Sequence, residues 1–556
     1  MANRTAFRFQ SRTLGTLFSL GSLLALGCGS SSGQSQGRVV GQSEFQSVAP
    51  GAGSGAGRGA TLNAGAQNDA APSAAGSTST ATPTRTVEET DLYRLEGDRL
   101  YYLNAYRGLM VFDVSNVDAP KLLGRSAIYG SPVEMIVRNG IASVVVADWY
   151  GTDEVGKPFY GSIVRGIDAT DPAHMKILGD ARLGGWVRDT RVVGDVLYAV
   201  TEDYGYYFGG YYGGGVADAV GIGYGYGQST VSVASVNIAG GQVVSKGSYK
   251  LSGEGGVFNV TPSSILLAHS TSAPDANGNQ IPTGNTELVY IDISDPEGTI
   301  VPRGAVQFQG YVQGWGADNG RWNLDFADGK TAHALACSAQ GCGGSQPLVL
   351  ATVDFSQPDA PVIASTLSIP STGWSAAARF DSGRMYLSPS SDYYYGGQQQ
   401  PALPLQIYDL SDPKAPFLAG SAQIKGQVWN LIPSGNRLFA LGNQYNPGDQ
   451  YYSSSQVSLS YLDVTNAAAP SVLGTSTFGD GWAWTPAAGT FKAFTLDKTQ
   501  GLVVLPFSGW DNASYQYNNG LQLIEFDDQS LTTAGASHTK GWVERGIFVN
   551  SRLVSL

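Results

Sequence analysis

Four aspartates in unusual surroundings are the first candidates for chemistry. Asp148, Asp203, Asp392 and Asp511 each lie in a stretch crowded with aromatic residues and small polar ones: DWYGTDEVGKPFYG, EDYGYYFGGYYGGG, SDYYYGGQQQ and GWDNASYQYNN. Two carboxylates held at a fixed separation can cleave a glycosidic bond, one as acid and one as base or nucleophile. The sequence supplies carboxylates but no pairing among them. Tyrosine brings a flat apolar ring with a polar tip at low entropic cost, and glycine lets the backbone adapt around it. The same stretches therefore suit the stacking face of a sugar or an irregular protein surface. The candidate contacts are Trp149, Tyr150, Tyr204, Tyr206, Tyr207, Tyr211, Tyr212, Tyr393, Tyr394, Tyr395, Tyr451, Tyr452, Tyr515 and Tyr517. The five loops 148–162, 202–229, 388–402, 442–457 and 508–520 hold 17 of the 29 tyrosines, so a fold that gathers these loops would gather one aromatic face. The plain alternative is a set of soluble low-complexity spacers.

Other chemistries find little support. The four histidines, His174, His269, His333 and His538, form no HExxH or His-x-His cluster, so no zinc site is expected. A Gly-x-Ser-x-Gly elbow and a Walker loop are both absent, and the glycines at 209–215 lack the following lysine and helix of a phosphate cradle. Asp275-Ala276-Asn277-Gly278-Asn279 misses the calcium-loop positions for glycine and glutamate and reads as a hairpin tip. No cofactor and no metal are expected.

Charge and cysteines point to a compartment. The net charge is −12, and removal of residues 1–27, with three arginines and no acid, leaves −15. An acidic chain without a basic cluster repels phosphate backbones, which excludes nucleic acid as a partner. Arg4, Arg8 and Arg12 precede an apolar run, 13–27, too short to span a bilayer. With Leu24-Ala25-Leu26-Gly27-Cys28 this resembles a bacterial lipoprotein signal, in which the cysteine becomes the lipidated first residue. Ordinary cleavage after Gly27 would instead release a secreted chain with a free thiol. Cys337 and Cys342, with four residues between them around a glycine-containing turn, suit a hairpin-tip disulfide outside the cytoplasm. A metal reading would need further ligands, and only His333 is near. Residues 28–86 are Ser, Gly, Ala and Gln without apolar periodicity, a composition expected to form a disordered tether. Its root-mean-square span would be on the order of 40 Å. The expected address is the bacterial envelope, with the outer membrane favoured because Gly29 is not an inner-membrane retention signal of the Asp type.

The elements that must position the loops are strands. Only 14% of residues are charged and glycine reaches 74, which favours short strands and many turns over long helices. From Val87 onward one pattern returns: β-formers, an Asp or Asn, an apolar residue, then a turn. It marks positions 113, 168, 237, 292, 354, 409, 463 and 527, with a period near 55 and variable surplus. The recurring acid before Ser-Asp-Pro reads as a turn cap rather than a ligand ring. Residues 404–443 read as one four-stranded unit, with strands at 405–410, 416–420, 427–433 and 437–441. Four strands repeated eight times predict an all-β fold, a single β-propeller over 87–556. Seven blades is the alternative if 203–228 hides a misassigned one. Residues 542–556 add a hairpin beyond the eighth copy.

The ordered series VEETDLYRLEGDRLYYL, GGWVRDTRVVGDVLYAVTED, GWGADNGRWNLDFADGK and GWAWTPAAGTFKAFTLDKTQGLVVLPFS resembles a family of secreted bacterial proteins with a C-terminal β-propeller distantly related to WD40 repeats. In the last stretch the family usually has His at the place of Phe491. The resemblance implies fold and export and brings no catalytic residues. The function expected is non-enzymatic binding or scaffolding of an envelope protein or a polysaccharide. The alternative is an extracytoplasmic glycan-active enzyme using the loop carboxylates. Oligomeric state is not legible.

Overall fold

The computed structural model describes residues 85–556 apart from 153–155, 204–228, 277–279, 313–316, 339–345, 372–376, 390–393, 396–397, 400–403, 446–454, 480, 512–514 and 551. The described chain forms eight four-stranded antiparallel blades: 93–126, 131–182, 186–252, 254–309, 324–369, 377–422, 427–478 and 495–539. Each corresponds to one copy of the sequence repeat. The first blade consists of Tyr93–Glu96, Arg99–Asn104, Gly108–Asp113 and Lys121–Ser126.

The unit read at 404–443 needs correction. Its strands exist, but Leu405–Asp409 and Phe417–Ala422 are the third and fourth of blade six. Gln427–Ser434 and Arg437–Tyr445 are the first and second of blade seven. A repeat has the same period wherever it is cut, so periodicity alone cannot set its phase.

The middle strands are nearly continuous apolar runs because each blade is covered on both faces. In Ser264–Pro274, alternation sends Ile265 and Leu267 into the interface with blade three, and Leu266 and Ala268 into that with blade five. Seven such apolar clusters join consecutive blades. Two more close the circle. The C-terminal hairpin, Gly546–Val549 with Arg552–Ser555, packs Phe548 and Leu553 beside Val504 and Leu521 of blade eight. It packs Ile547 and Val549 beside Leu100 and Val114 of blade one. The expected terminal hairpin is thus the wedge that closes the ring.

Alternating strand direction puts the first-to-second and third-to-fourth turns at one face, the base. The second-to-third loops and the connections between blades lie at the other, the crown. All eight marked Asp or Asn residues lie at the base, and each accepts the backbone N–H two residues on. A hydroxyl and that N–H together hold Asp113, Asp168, Asp354, Asp409 and Asp463 below the ordinary carboxylate range. The capped turns abut the preceding blade. Gly304 N–H donates to Pro358 O at 2.8 Å, and a Cβ on Gly304 would stand 2.4 Å from that oxygen.

Candidate functional site

Three segments fill the axis of the ring. Val87–Glu88 forms a fifth, innermost strand on blade three, antiparallel to Trp186–Val193. The chain rises from the base, where Arg85 donates to Ile293 O (2.6 Å) and Val193 O (3.1 Å). It reaches Asp91, which bridges to Met135, and then turns into blade one. The second segment is the 3-10 turn Ala317–Asn323 ahead of a two-residue inner strand in blade five. The third is 485–494, which interrupts the inner strand of blade eight between Trp482–Trp484 and Thr495–Asp497. The last two meet across the axis, where Asp318 N–H donates to Gly489 O at 2.8 Å and Phe491 N–H donates to the Asp318 carboxylate at 3.1 Å.

Their charged side chains pair with one another in a buried network. Arg321 donates from both terminal nitrogens to Glu89 and lies over the rings of Trp322 (4.4 Å) and Phe491 (4.7 Å). Arg191 holds Asp189 at 2.6 Å, and Lys492 holds Glu134 at 2.6 Å. Thr190 bridges Glu134 and Thr90, and Arg545 of the closing segment reaches Asp91 at 3.2 Å. Burial pushes Glu89 and Asp189 up, but the surrounding Arg191, Arg321 and Lys492 outweigh it and both end below the ordinary carboxylate value. Burial without comparable pairing raises Asp318. Arg379, buried over Trp322 at 3.2 Å and next to Arg321, is pushed down to about 9. The axis is therefore a packed ionic core.

The crown is different. The loops 148–162, 202–229, 388–402, 442–457 and 508–520 all join the second and third strands of their blades, so all five belong to this face. Tyr204, Tyr206, Tyr207, Tyr211, Tyr212, Tyr393, Tyr451 and Tyr452 lie outside the described residues, and Tyr394–Tyr395 pairs with Gln398–Gln399. Trp149 is half-buried against Phe159, whereas Tyr150 is exposed beside its cross-strand partner Tyr160. Tyr515 and Tyr517 are exposed, with their rings 6.5 and 5.0 Å from Trp510. The structure adds residues that the sequence reading missed. Tyr106 is 98% exposed, and Tyr129, Trp482, Trp484 and Trp542 also stand on this face. The alternation Trp482-Ala483-Trp484, with only Ala483 buried, was the signal available for two of them.

Of the four aspartates, Asp148 accepts from Ser131, Tyr160 and the Trp186 indole at 2.9, 3.2 and 3.1 Å. Asp203 ends a blade-three strand, and Asp392 lies outside the described residues, as do the side chain of Asp511 and the 277–279 hairpin tip. No group of three or more potential metal ligands occurs among the described residues. His269 pairs with Glu287, and His333 stacks on Phe380, its pKa pushed down to about 4 by burial. Cys337 ends a blade-five strand and Cys342 lies outside the described residues.

Fold and geometry define an eight-bladed propeller with a filled axis and an aromatic crown. A family model described as the beta propeller domain matches residues 77–212 and 402–553, more than half of the chain, and the chain belongs to that family. No curated protein matches it. Among solved structures it is similar to a functionally unknown protein from Desulfotomaculum acetoxidans DSM 771, at 10% identity and a TM-score of 0.33, covering 69% of this chain and 95% of that one. It is also similar to Sqt1 of Saccharomyces cerevisiae, at 10% identity and a TM-score of 0.35, covering 82% and 98%. A third likeness is to cobalt-substituted ACO of Synechocystis, at 12% identity and a TM-score of 0.31, covering 69% and 71%.

Proposed function

We propose that this chain is a non-enzymatic binding module of the bacterial envelope, whose crown engages a partner protein or polysaccharide. In this reading Cys28 carries the lipid, residues 28–86 form the tether, and Cys337 and Cys342 form a disulfide. The observation that carries it is polarity. The chain comes in at the base beside Arg85, while Tyr106, Tyr129, Tyr150, Tyr515 and Tyr517 are exposed on the opposite face. A tethered propeller built this way turns its aromatic face away from its anchor. The glycan-cleaving alternative is weaker, because Asp148 already accepts from three donors and is paired with no second carboxylate among the described residues.

The test is capture of envelope proteins and polysaccharides by the mature chain, comparing wild type with a Tyr106→Ala, Tyr129→Ala, Tyr515→Ala variant of equal thermal stability. Loss of a specific partner supports the crown; equal capture by both sinks it. Intact mass of the mature N-terminus decides anchoring, since an unmodified Cys28 would make the protein secreted.

A further inference from the structure

The crown of blade eight carries an ordered aromatic strip. Trp482 pairs across strands with Trp510, and Trp510 with Tyr517. Two residues along, Trp484 pairs with Ser508, Ser508 with Asn519, and Asn519 with Thr539. Residues in cross-strand register, and residues two apart along a strand, share one sheet face. These two rows therefore lie side by side on one surface. Trp542 stacks on Trp484 with ring centres 5.1 Å apart and planes 26° from parallel. Trp482, Trp484 and Trp542 are 50%, 42% and 49% exposed although Ala483 between the first two is buried. The Oδ1 of Asn519 is buried and has no donor among the described residues.

We infer that this strip is a binding site for a neutral polysaccharide, an assignment that rests on the crown being the binding face. Charge separates the candidate occupants. Neither row contains a charged residue, and the chain as a whole is acidic at −12. Nucleic acid, anionic lipid and acidic glycans find no cation on the rows and are repelled by the surrounding field. A neutral pyranose chain has apolar C–H faces for the exposed rings and needs no ionic partner. Trp482, Trp510 and Tyr517 follow one another across adjacent strands as a row of rings, which a repeating flat-faced polymer can follow. A protein loop would not need that regularity.

The experiment is affinity electrophoresis and titration of tryptophan emission. It uses the full mature chain with laminarin, dextran and mannan as neutral probes and polygalacturonate as the acidic one. At least one neutral probe should retard the wild type and shift its emission, and polygalacturonate should do neither. Trp482→Ala and Trp484→Ala should each weaken binding about ten-fold, and Trp484→Tyr should retain most of it, with melting temperatures showing that all variants fold. No response to any neutral probe, or equal binding by the alanine variants, overturns the assignment. In that event, capture of a protein partner that is lost in the Tyr106, Tyr129 and Tyr515 variant leaves the crown reading standing. Absence of any crown-dependent partner removes both.

Discussion

Glu89→Ala tests whether the axis is held by its ions. The Glu89 side chain is 2% exposed, and it faces Arg321 and Arg191, which are 7% and 3% exposed. Removing it leaves Arg321 and Arg191 in the core with Asp189 as their remaining close carboxylate, 4.0 Å from Arg321 and 2.6 Å from Arg191. Breaking a buried pair while its partner stays charged costs roughly 3–5 kcal/mol. Urea unfolding of the mature chain should show that loss as a lower midpoint with an unchanged slope. Glu89→Met with Arg321→Met should recover part of it, because the uncompensated cation goes too. The pH dependence has a definite sign. The folded pKa of Glu89 lies below the ordinary 4.5, so its contribution is complete above that value and lost as pH falls through the folded one. Glu89→Gln should remove that part of the acid sensitivity. A loss under about 1 kcal/mol in Glu89→Ala would refute the reasoning and make the axis a matter of apolar packing alone.

Four further outcomes follow from the same geometry. Gly304→Ala places a methyl 2.4 Å from the Pro358 carbonyl of the next blade and should cost about 1–3 kcal/mol, read by urea unfolding, whereas Gly97→Ala, with open space around its Cβ, should show only the strain of its positive φ. His333, depressed to about 4, is neutral in the fold, so stability should fall as pH drops from 6.5 towards 4, and His333→Gln should flatten that limb of a pH–stability curve. Asp325, its register partner, is raised to about 6 by burial, so its contribution runs the other way, being lost as pH rises through 3.8–6; Asp325→Asn should gain stability at pH 7. Ile547→Asp puts a charge between the closing hairpin and blade one and should lower the melting temperature and expose the chain to proteolysis near residues 546–556, while the same change at the exposed Leu122 should do neither.

The fold was legible because its punctuation is local. A side chain capping a turn two residues on is written within three residues, and it recurs eight times, with Asn237 serving in place of aspartate. Strand alternation is equally local. The axis was not legible, because its contacts join residues with nothing in common in the sequence. Glu89 and Arg321 are separated by 232 positions, and Asp91 and Arg545 by 454. Scattered single charges of this kind read as solvated surface until the ring brings them inward. The crown was half legible. Loop length and tyrosine content marked it, but Trp482 and Trp484 belong to a displaced piece of inner strand outside those loops.

The filled axis also narrows where binding can occur. A ligand entering along it would have to separate pairs such as Lys492–Glu134 or Arg321–Glu89, each costing several kcal/mol to break when buried. It would also have to displace the strand Val87–Glu88, by which the chain enters the ring. The crown asks for no such sacrifice, because its tryptophans and tyrosines already stand in water and lose only unfavourable apolar hydration when covered. In the proposed reading, a propeller that locks its centre with ions and leaves aromatic rings exposed at one end binds at that end, with the centre serving to keep the rings in place.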